Sequence, residues 1–344
     1  MEQFEVAPGF AISRIIKGGW QLSQGHGNSL NHDPVRDMFD FADRGVNTLD
    51  CADIYTGVEE LIGRFLAARK ERMGLCTDIK VLTKFVPDYD VLTTINKSYV
   101  ERIIDRSLMR LKLDQLHMVQ FSWWTYDIPG WVETAGWLRD LQLAGKIRLI
   151  SLTNFNAKAT KEILDAGIPL ATAQVQYSLL DTRPEKDLIP LCAKSNMYLL
   201  CYGTVAGGFL SDRWLGGSEP KPPFENRSHV KYKLMIDEFG GWELFQELLK
   251  TLKAIAGKHH VSITNVASRY MLDRRQVACI IIGAKSTSHL DENLHVFEFT
   301  LDPEDNTAIE KVTGQRKGPA GDVFDVERIK QGPHGAIMKY NLNG

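Results

Sequence analysis

Short apolar, β-branched runs alternate along this chain with stretches whose apolar residues recur at helical spacing. Phe4 to Arg14 carries a Pro8-Gly9 turn between two extended pieces and predicts a hairpin. Residues 12–18 read as a strand running into Gly18-Gly19-Trp20. Asp33 then stands as a helix N-cap with Pro34 at the first helical position. Val35, Met38, Phe39 and Ala42 follow helical spacing, and Gly45 closes the helix. Further strands are predicted at 46–50, 80–85, 116–121, 147–152, 170–175, 198–201 and 277–282. Helices are predicted between and after them at 58–69, 95–111, 132–143, from the Asn156 cap to Gly167, and at 185–195, 242–256, 263–272 and 288–296.

Eight strands, each followed by a helix or a long excursion, imply a parallel sheet built from βαβ units. At 344 residues this favours an α/β fold closed into a (β/α)8 TIM barrel. An open doubly wound sheet would ordinarily show GxGxxG after its first strand, and neither that nor a GxxxxGK[ST] loop is present. The expectation is one domain over 1–344, with a barrel core of about 12–301 and a C-terminal extension at 302–344. Residues 206–241 are rich in Pro and Gly with little periodicity, which reads as a long rim loop or lid. The Gly- and Pro-rich tail from Gly314 is expected to pack over one face.

Forty-one basic against 43 acidic residues leave a net charge of −2, with no basic run for nucleic acid or a membrane surface. The start Met1-Glu2-Gln3-Phe4-Glu5 lacks a signal-peptide pattern, and the longest apolar run, near 277–282, is too short to span a bilayer. Five cysteines (Cys51, Cys76, Cys192, Cys201, Cys279) include no CxxC pair, as expected of reduced thiols in the cytoplasm. His259-His260 has no partner at metal-ligand spacing, so no metal site is expected. Oligomeric state is not encoded in these patterns.

Chemistry in such a barrel gathers where strands end. Those ends carry Trp20, Asp50 with Tyr55 close behind, Lys84, Ser122-Trp123-Trp124, Thr153-Asn154, Gln174, Tyr202 and Gly283-Ala284-Lys285. Taken singly, a Tyr past a strand packs, a strand-end Lys is solvated, and a strand-end Asp caps or turns. Together they make an acid–base set: Tyr55 as a proton donor, Lys84 as the ammonium that lowers its pKa from a reference of about 10, and Asp50 as the partner of Lys84.

The run from Gly45 to Tyr55, containing Asn47-Thr48-Leu49-Asp50-Cys51-Ala52-Asp53-Ile54-Tyr55, resembles a signature of the aldo-keto reductase superfamily. Lys84 in Val81-Leu82-Thr83-Lys84-Phe85 matches its catalytic lysine. Gly145-Lys146-Ile147-Arg148, Leu152-Thr153-Asn154-Phe155 and Gln174-Val175-Gln176-Tyr177-Ser178 are similar to later motifs, and 283–293 to the cofactor segment. The resemblance runs from about 12 to 301 and implies NAD(P)H-dependent reduction of an aldehyde or ketone substrate. It further implies that Thr153, Asn154 and Gln174 hold the nicotinamide carboxamide and that Tyr202 stacks on its ring. Gly203, Thr204 and Gly208 would approach the pyrophosphate; Gly283, Lys285, Ser286, His289, Glu292 and Asn293 would form the adenosine segment. A cation at Lys285 favours NADP(H) over NAD(H), while His289 stands where relatives often carry Arg or Gln. Trp20, Trp123 and Trp124 are candidates for an apolar substrate pocket.

One position departs from the family pattern. Ser122 takes the place of its usual histidine at the fourth strand end, and His117 falls five residues too early to substitute. Loss of such a donor costs on the order of 10²–10³ in rate. Alternatives to carbonyl reduction are therefore a weak, nicotinamide-binding regulator or sensor, and a reductase of activated C=C bonds.

Overall fold

The computed structural model describes residues 1–23, 33–74 and 78–343. Two strands, β1 (Gln3–Ala7) and β2 (Phe10–Ser13), pair antiparallel as the expected hairpin. Eight more form a closed barrel: β3 (Ile15–Gly18), β4 (Thr48–Asp50), β5 (Lys80–Phe85), β6 (Leu116–Phe121), β7 (Ile147–Thr153), β8 (Thr172–Gln176), β9 (Tyr198–Tyr202) and β10 (Val277–Gly283). They lie in chain order, and parallel pairing of β10 with β9 and β3 closes the ring. Alternation divides the core in two. Ile16, Leu82, Met118 and Leu200 fill one cluster that Val6, Phe10 and Ile12 of the hairpin join, while Ile15, Val81, Val119 and Ile150 belong to the larger cluster shared with the helices.

The helices between strands follow from caps and apolar stripes. Asp33 Oδ1 accepts from the Val35 amide at the head of α1 (Pro34–Asp43), and Asn96 caps α3 (Lys97–Leu111) through the Tyr99 amide. Between them lies α2 (Val58–Met73); α4 (Trp131–Leu143), α5 (Ala157–Asp165) and α6 (Leu188–Lys194) follow β6, β7 and β8.

Several boundaries differ from expectation. The strand predicted at 12–18 is two strands, because Arg14 turns away to donate to the Leu272 carbonyl (2.6 Å) and the Ala278 carbonyl (3.2 Å). The segment 185–195 begins as a 3-10 turn before α6. The stretch predicted as loop contains α7 (Arg227–Phe239), capped by Asn226 and burying Tyr232, Met235, Ile236 and Phe239. Its signal is diluted because His229 and Lys233 share that buried side. Two helices, α8 (Trp242–His259) and α9 (Ile263–Leu272), precede β10. The helix expected at 288–296 shortens to α10 (Leu290–Leu294) plus a 3-10 turn. An unforeseen α11 (Pro303–Thr313) starts at an Asp302/Asp305 capping box.

The tail adds the short α12 (Asp325–Arg328), then runs to the β5 end, where Asn343 Nδ2 donates to the Val86 carbonyl at 2.7 Å. Among the described residues no helix is long and apolar enough to cross a membrane. Cys51, Cys192, Cys201 and Cys279 are buried free thiols, and Cys76 lies outside the described residues.

Candidate active site

Asp50, the last residue of β4, and Lys84, near the end of β5, are both buried and face each other across adjacent strands. Lys84 Nζ donates to Asp50 Oδ2 at 2.6 Å, to Oδ1 at 2.8 Å and to the Cys51 carbonyl at 2.8 Å. Two amides complete the shell of the carboxylate. Gln120 Nε2 reaches Asp50 Oδ1 at 3.0 Å, and Gln174 Nε2 reaches it at 2.6 Å while also donating to Gln120 Oε1 at 2.8 Å. This saturation lets a buried ion pair persist where a bare one would be unfavourable. Burial disfavours the ammonium, but the Asp50 charge prevails and holds the Lys84 pKa above its usual value.

Tyr55 lies on the loop that follows β4, half-buried, with Lys84 Nζ 5.0 Å from its ring centroid. The loop is clipped to the β5 end by Asp53, whose carboxylate accepts from the Val86 amide (3.1 and 3.2 Å) and the Ile54 amide (2.9 Å). Burial, with Glu59 nearby, pushes that carboxyl well up. The tuning of Tyr55 differs from expectation. Lys84 acts to lower the phenol pKa, but burial and Asp50 outweigh it, so the value is raised. Because the ammonium is already matched by Asp50, its field at the ring is weakened. The phenol therefore stays protonated at neutral pH.

Trp20 packs on Tyr55 with centroids 5.1 Å apart. Ser122 is buried at the end of β6, its amide donating to the Phe85 carbonyl at 3.0 Å. His117 is committed elsewhere: its Nδ1 accepts from the Val81 amide at 3.1 Å, and burial pushes its pKa down to about 4. Trp123 does not face a pocket. It is 1% exposed, edge-on to Phe121, and donates to the Ile128 carbonyl, so a side chain expected in the substrate site belongs to the core. Trp124 is partly exposed, donates to the Pro87 carbonyl at 2.8 Å and packs on Tyr340 of the tail.

The residues expected to hold a cofactor also lie at this end of the barrel. Thr153 is buried at the end of β7, and Asn154 follows with φ 61°. The Tyr202 hydroxyl, from the end of β9, donates to Asn154 Oδ1 at 2.8 Å. Gly203 has φ +74°, and a Cβ there would stand 2.4 Å from the Tyr232 hydroxyl, so only glycine lets α7 settle on this turn. Gly208 has open space around it. The Thr204 hydroxyl is buried without a hydrogen-bond partner, an orphan donor on the turn expected to meet a pyrophosphate. That orphan and the open glycine fit a dinucleotide.

On the side expected to take the adenosine, the Gln21 side chain lies where a Gly283 Cβ would be. Lys285 is exposed, Ser286 Oγ is 3.1 Å from Ser288 Oγ, and His289 Nδ1 is 3.2 Å from Glu292 Oε2. The Asn293 amide donates to the His289 carbonyl inside α10. His259 pairs with Asp305 at 2.7 Å. Among the described residues no group of three or more His, Cys, Asp or Glu could hold a metal.

Sequence reasoning missed Gln120, the clip made by Asp53, and the contacts that the tail makes. Gln120 had a signal, an amide within a strand of otherwise apolar neighbours; the tail's Gly and Pro content pointed to packing over one face but not to which residues it would grip. Its Arg328 Nη2 donates to the Asn154 carbonyl (2.7 Å), the Tyr126 hydroxyl (2.9 Å) and the Trp123 carbonyl (3.3 Å), tying the ends of β6 and β7. Neighbouring Glu327 receives a bidentate pair from Arg183 (2.9 and 3.0 Å), which also grips Asp181.

The fold is a parallel eight-stranded barrel, with a buried Lys–Asp pair beside a tyrosine at the end of the barrel where such folds carry their chemistry. Comparison with known proteins places it further. The model of the Aldo/keto reductase family matches residues 14–313, and the chain belongs to that family. It is similar to "Pyridoxal reductase, chloroplastic" of Arabidopsis thaliana, 27% identical over 87% of this chain and 83% of that protein. It is likewise similar to "NADH-specific methylglyoxal reductase" of Escherichia coli, 23% identical over 88% of this chain and 94% of that protein. The solved glycerol dehydrogenase AKR11B4 from Gluconobacter oxydans shares the fold, with a TM-score of 0.74 and 24% identity over 94% of this chain and 98% of that one. The chain is thus an oxidoreductase of a family that uses nicotinamide cofactors on small carbonyl compounds.

Proposed function

We propose that this protein reduces an aldehyde or ketone to the alcohol, with Tyr55 as the proton donor. The observation that carries this reading is the Lys84–Asp50 pair, buried and doubly bonded, set 5.0 Å below the Tyr55 ring. The reduced nicotinamide supplies hydride to the carbonyl carbon when bound. Tyr55 gives its phenolic proton to the developing alkoxide, and Lys84 stabilises the negative charge left on the phenol. Asp50, held by Gln120 and Gln174, keeps Lys84 charged and directed. Ser122 offers a short neutral donor beside the substrate oxygen in place of an imidazole. Thr153, Asn154 and Gln174 hold the carboxamide, Tyr202 forms the ring platform, and the Gly203–Gly208 turn with Thr204 receives the diphosphate.

NADP(H) is preferred to NAD(H), on the strength of the Lys285 cation and the Ser286 hydroxyl at the adenosine end. One relative is named NADH-specific, which makes this preference the first thing to measure. Ser122 favours a second reading, a nicotinamide-binding regulator with negligible turnover.

The test is fluorescence titration with NADPH and NADH, followed by turnover on aldehydes, ketones, quinones and enones. Binding with carbonyl turnover that falls at least 10²-fold in Tyr55→Phe, at unchanged cofactor affinity, supports the reductase. Normal turnover by Tyr55→Phe refutes the mechanism. Tight binding without turnover on any member of the panel moves the assignment to the regulator.

A further inference from the structure

The helix that replaces the expected loop carries a lysine onto the cofactor side of the rim. Asn226 starts α7 by accepting from the His229 amide, and two turns later Tyr232 stands against Gly203 and Gly207. That seating brings the neighbouring Lys231 Nζ to 4.8 Å from the Tyr202 ring centroid and 5.6 Å from that of Tyr232. Lys231 is half-buried, and among the described residues no carboxylate oxygen pairs with its ammonium.

We propose that Lys231 makes this site discriminate between the redox states of its cofactor, favouring the reduced over the oxidised nicotinamide, by placing a cation on the Tyr202 platform. The inference rests on the reading of Tyr202 as that platform. The physical reason is charge. An oxidised nicotinamide ring carries one positive charge more than the reduced ring. The negative face of a tyrosine would welcome that charge, but a cation on the ring competes for the same quadrupole and repels the pyridinium directly. The neutral dihydronicotinamide escapes this penalty. A reductase gains from the asymmetry, because it captures reduced cofactor and releases the oxidised product more readily.

The surrounding charges leave this effect standing. Asp50 is matched by Lys84, and Asp181 and Glu327 both receive hydrogen bonds from Arg183. The charges that face Lys231 are Glu327, Asp181 and Arg183: burial, the largest influence, together with Arg183 holds its pKa below the usual lysine value, while Glu327 and Asp181 favour the ammonium.

The experiment measures Kd for NADPH and for NADP+ by fluorescence on the full-length protein, in wild type, Lys231→Met, Lys231→Gln and Lys231→Arg, with a thermal melt on each. NADH and NAD+ are used if they bind better. The expected result is a fall on the order of ten-fold in the Kd ratio of oxidised to reduced form in Lys231→Met, through tighter binding of the oxidised form. Lys231→Arg should keep the wild-type ratio, and Lys231→Gln reports the same loss of charge should the methionine variant not fold. Equal weakening of both forms would make Lys231 a plain contact to the cofactor's phosphates and overturn the proposal. A lowered melting temperature with an unchanged ratio would make it only a counter-ion for the Glu327 cluster, with the same consequence. If wild type binds neither form, the cofactor reading itself fails, a result distinct from binding at an unchanged ratio.

Discussion

Replacing Lys84 by methionine separates what the buried pair does for stability from what it does for chemistry. The two side chains are 5% and 6% exposed, so the change strands the Asp50 carboxylate in the barrel interior. Breaking a buried pair by removing one partner costs about 3–5 kcal/mol. Here the two amide donors remain at 3.0 and 2.6 Å and continue to solvate the charge. That places the cost near the lower end, about 3 kcal/mol, or roughly a hundred-fold in the unfolding equilibrium. Adding Asp50→Asn removes the charge while keeping an oxygen for Gln120 and Gln174, and its new amide can donate to the Cys51 carbonyl that Lys84 leaves behind. The double variant should therefore regain more than half of the lost stability. Urea unfolding followed by tryptophan fluorescence measures both numbers. Turnover should stay at least 10²-fold down in both variants, since neither has a cation beside Tyr55. A single variant that loses less than about 1 kcal/mol, or a double variant no more stable than the single, would show that the pair is not the buried, amide-supported unit described above.

Three further outcomes follow from the same geometry. His117 is neutral in the folded state with a pKa of about 4 against about 6.5 unfolded, so its contribution is complete above pH 6.5 and is lost as pH falls towards 4. The loss is about 3 kcal/mol of unfolding free energy, and a pH series of urea midpoints should show this segment flattened in His117→Asn. Arg328→Met removes the donor shared by the Asn154 and Trp123 carbonyls, so cofactor affinity should weaken on the order of ten-fold, with earlier cleavage of the tail in limited proteolysis. An unchanged affinity would reduce Arg328 to a tail anchor. Ser122→His should raise kcat on simple aldehydes by about ten-fold or more if the missing imidazole limits the proton step. No gain at intact cofactor binding would show that Tyr55 and Ser122 suffice.

The grouping of Asp50, Tyr55 and Lys84 in the candidate site was legible because it is written locally, near strand ends. Asp50 closes β4, Lys84 is next to last in β5 and Ser122 directly follows β6, while Gln174, expected at a strand end, lies midway along β8. Barrel closure brings these positions together without help from elsewhere. Tyr55 needed only a short loop. Even here the electrostatics could not be read in advance. Whether Lys84 lowers or fails to lower the Tyr55 phenol depends on how completely Asp50 and burial offset it, and that is a matter of depth rather than of spacing.

The half proposed to take the cofactor follows a different logic, which explains why α7 and the tail's contacts escaped the pattern. Their positions are held by pairs far apart in the chain: Glu327 with Arg183, Arg328 with Tyr126 and Asn154, Tyr232 against Gly203. Such contacts supplement the apolar stripe of α7, Tyr232, Met235, Ile236 and Phe239, which His229 and Lys233 dilute by sharing its buried side. Trp123 shows the converse error. A strand-end aromatic looks like pocket lining in a linear reading, but Phe121 and the Ile128 carbonyl claim it for the core once the loop folds back. The Asp–Tyr–Lys centre is therefore set by the barrel itself, while the platform around Tyr202 is set by segments that can change without disturbing any strand. Substitutions in α7 and in residues 322–328 should consequently alter cofactor affinity and redox-state preference first, and the proton transfer at Tyr55 only after the barrel's own pair is touched.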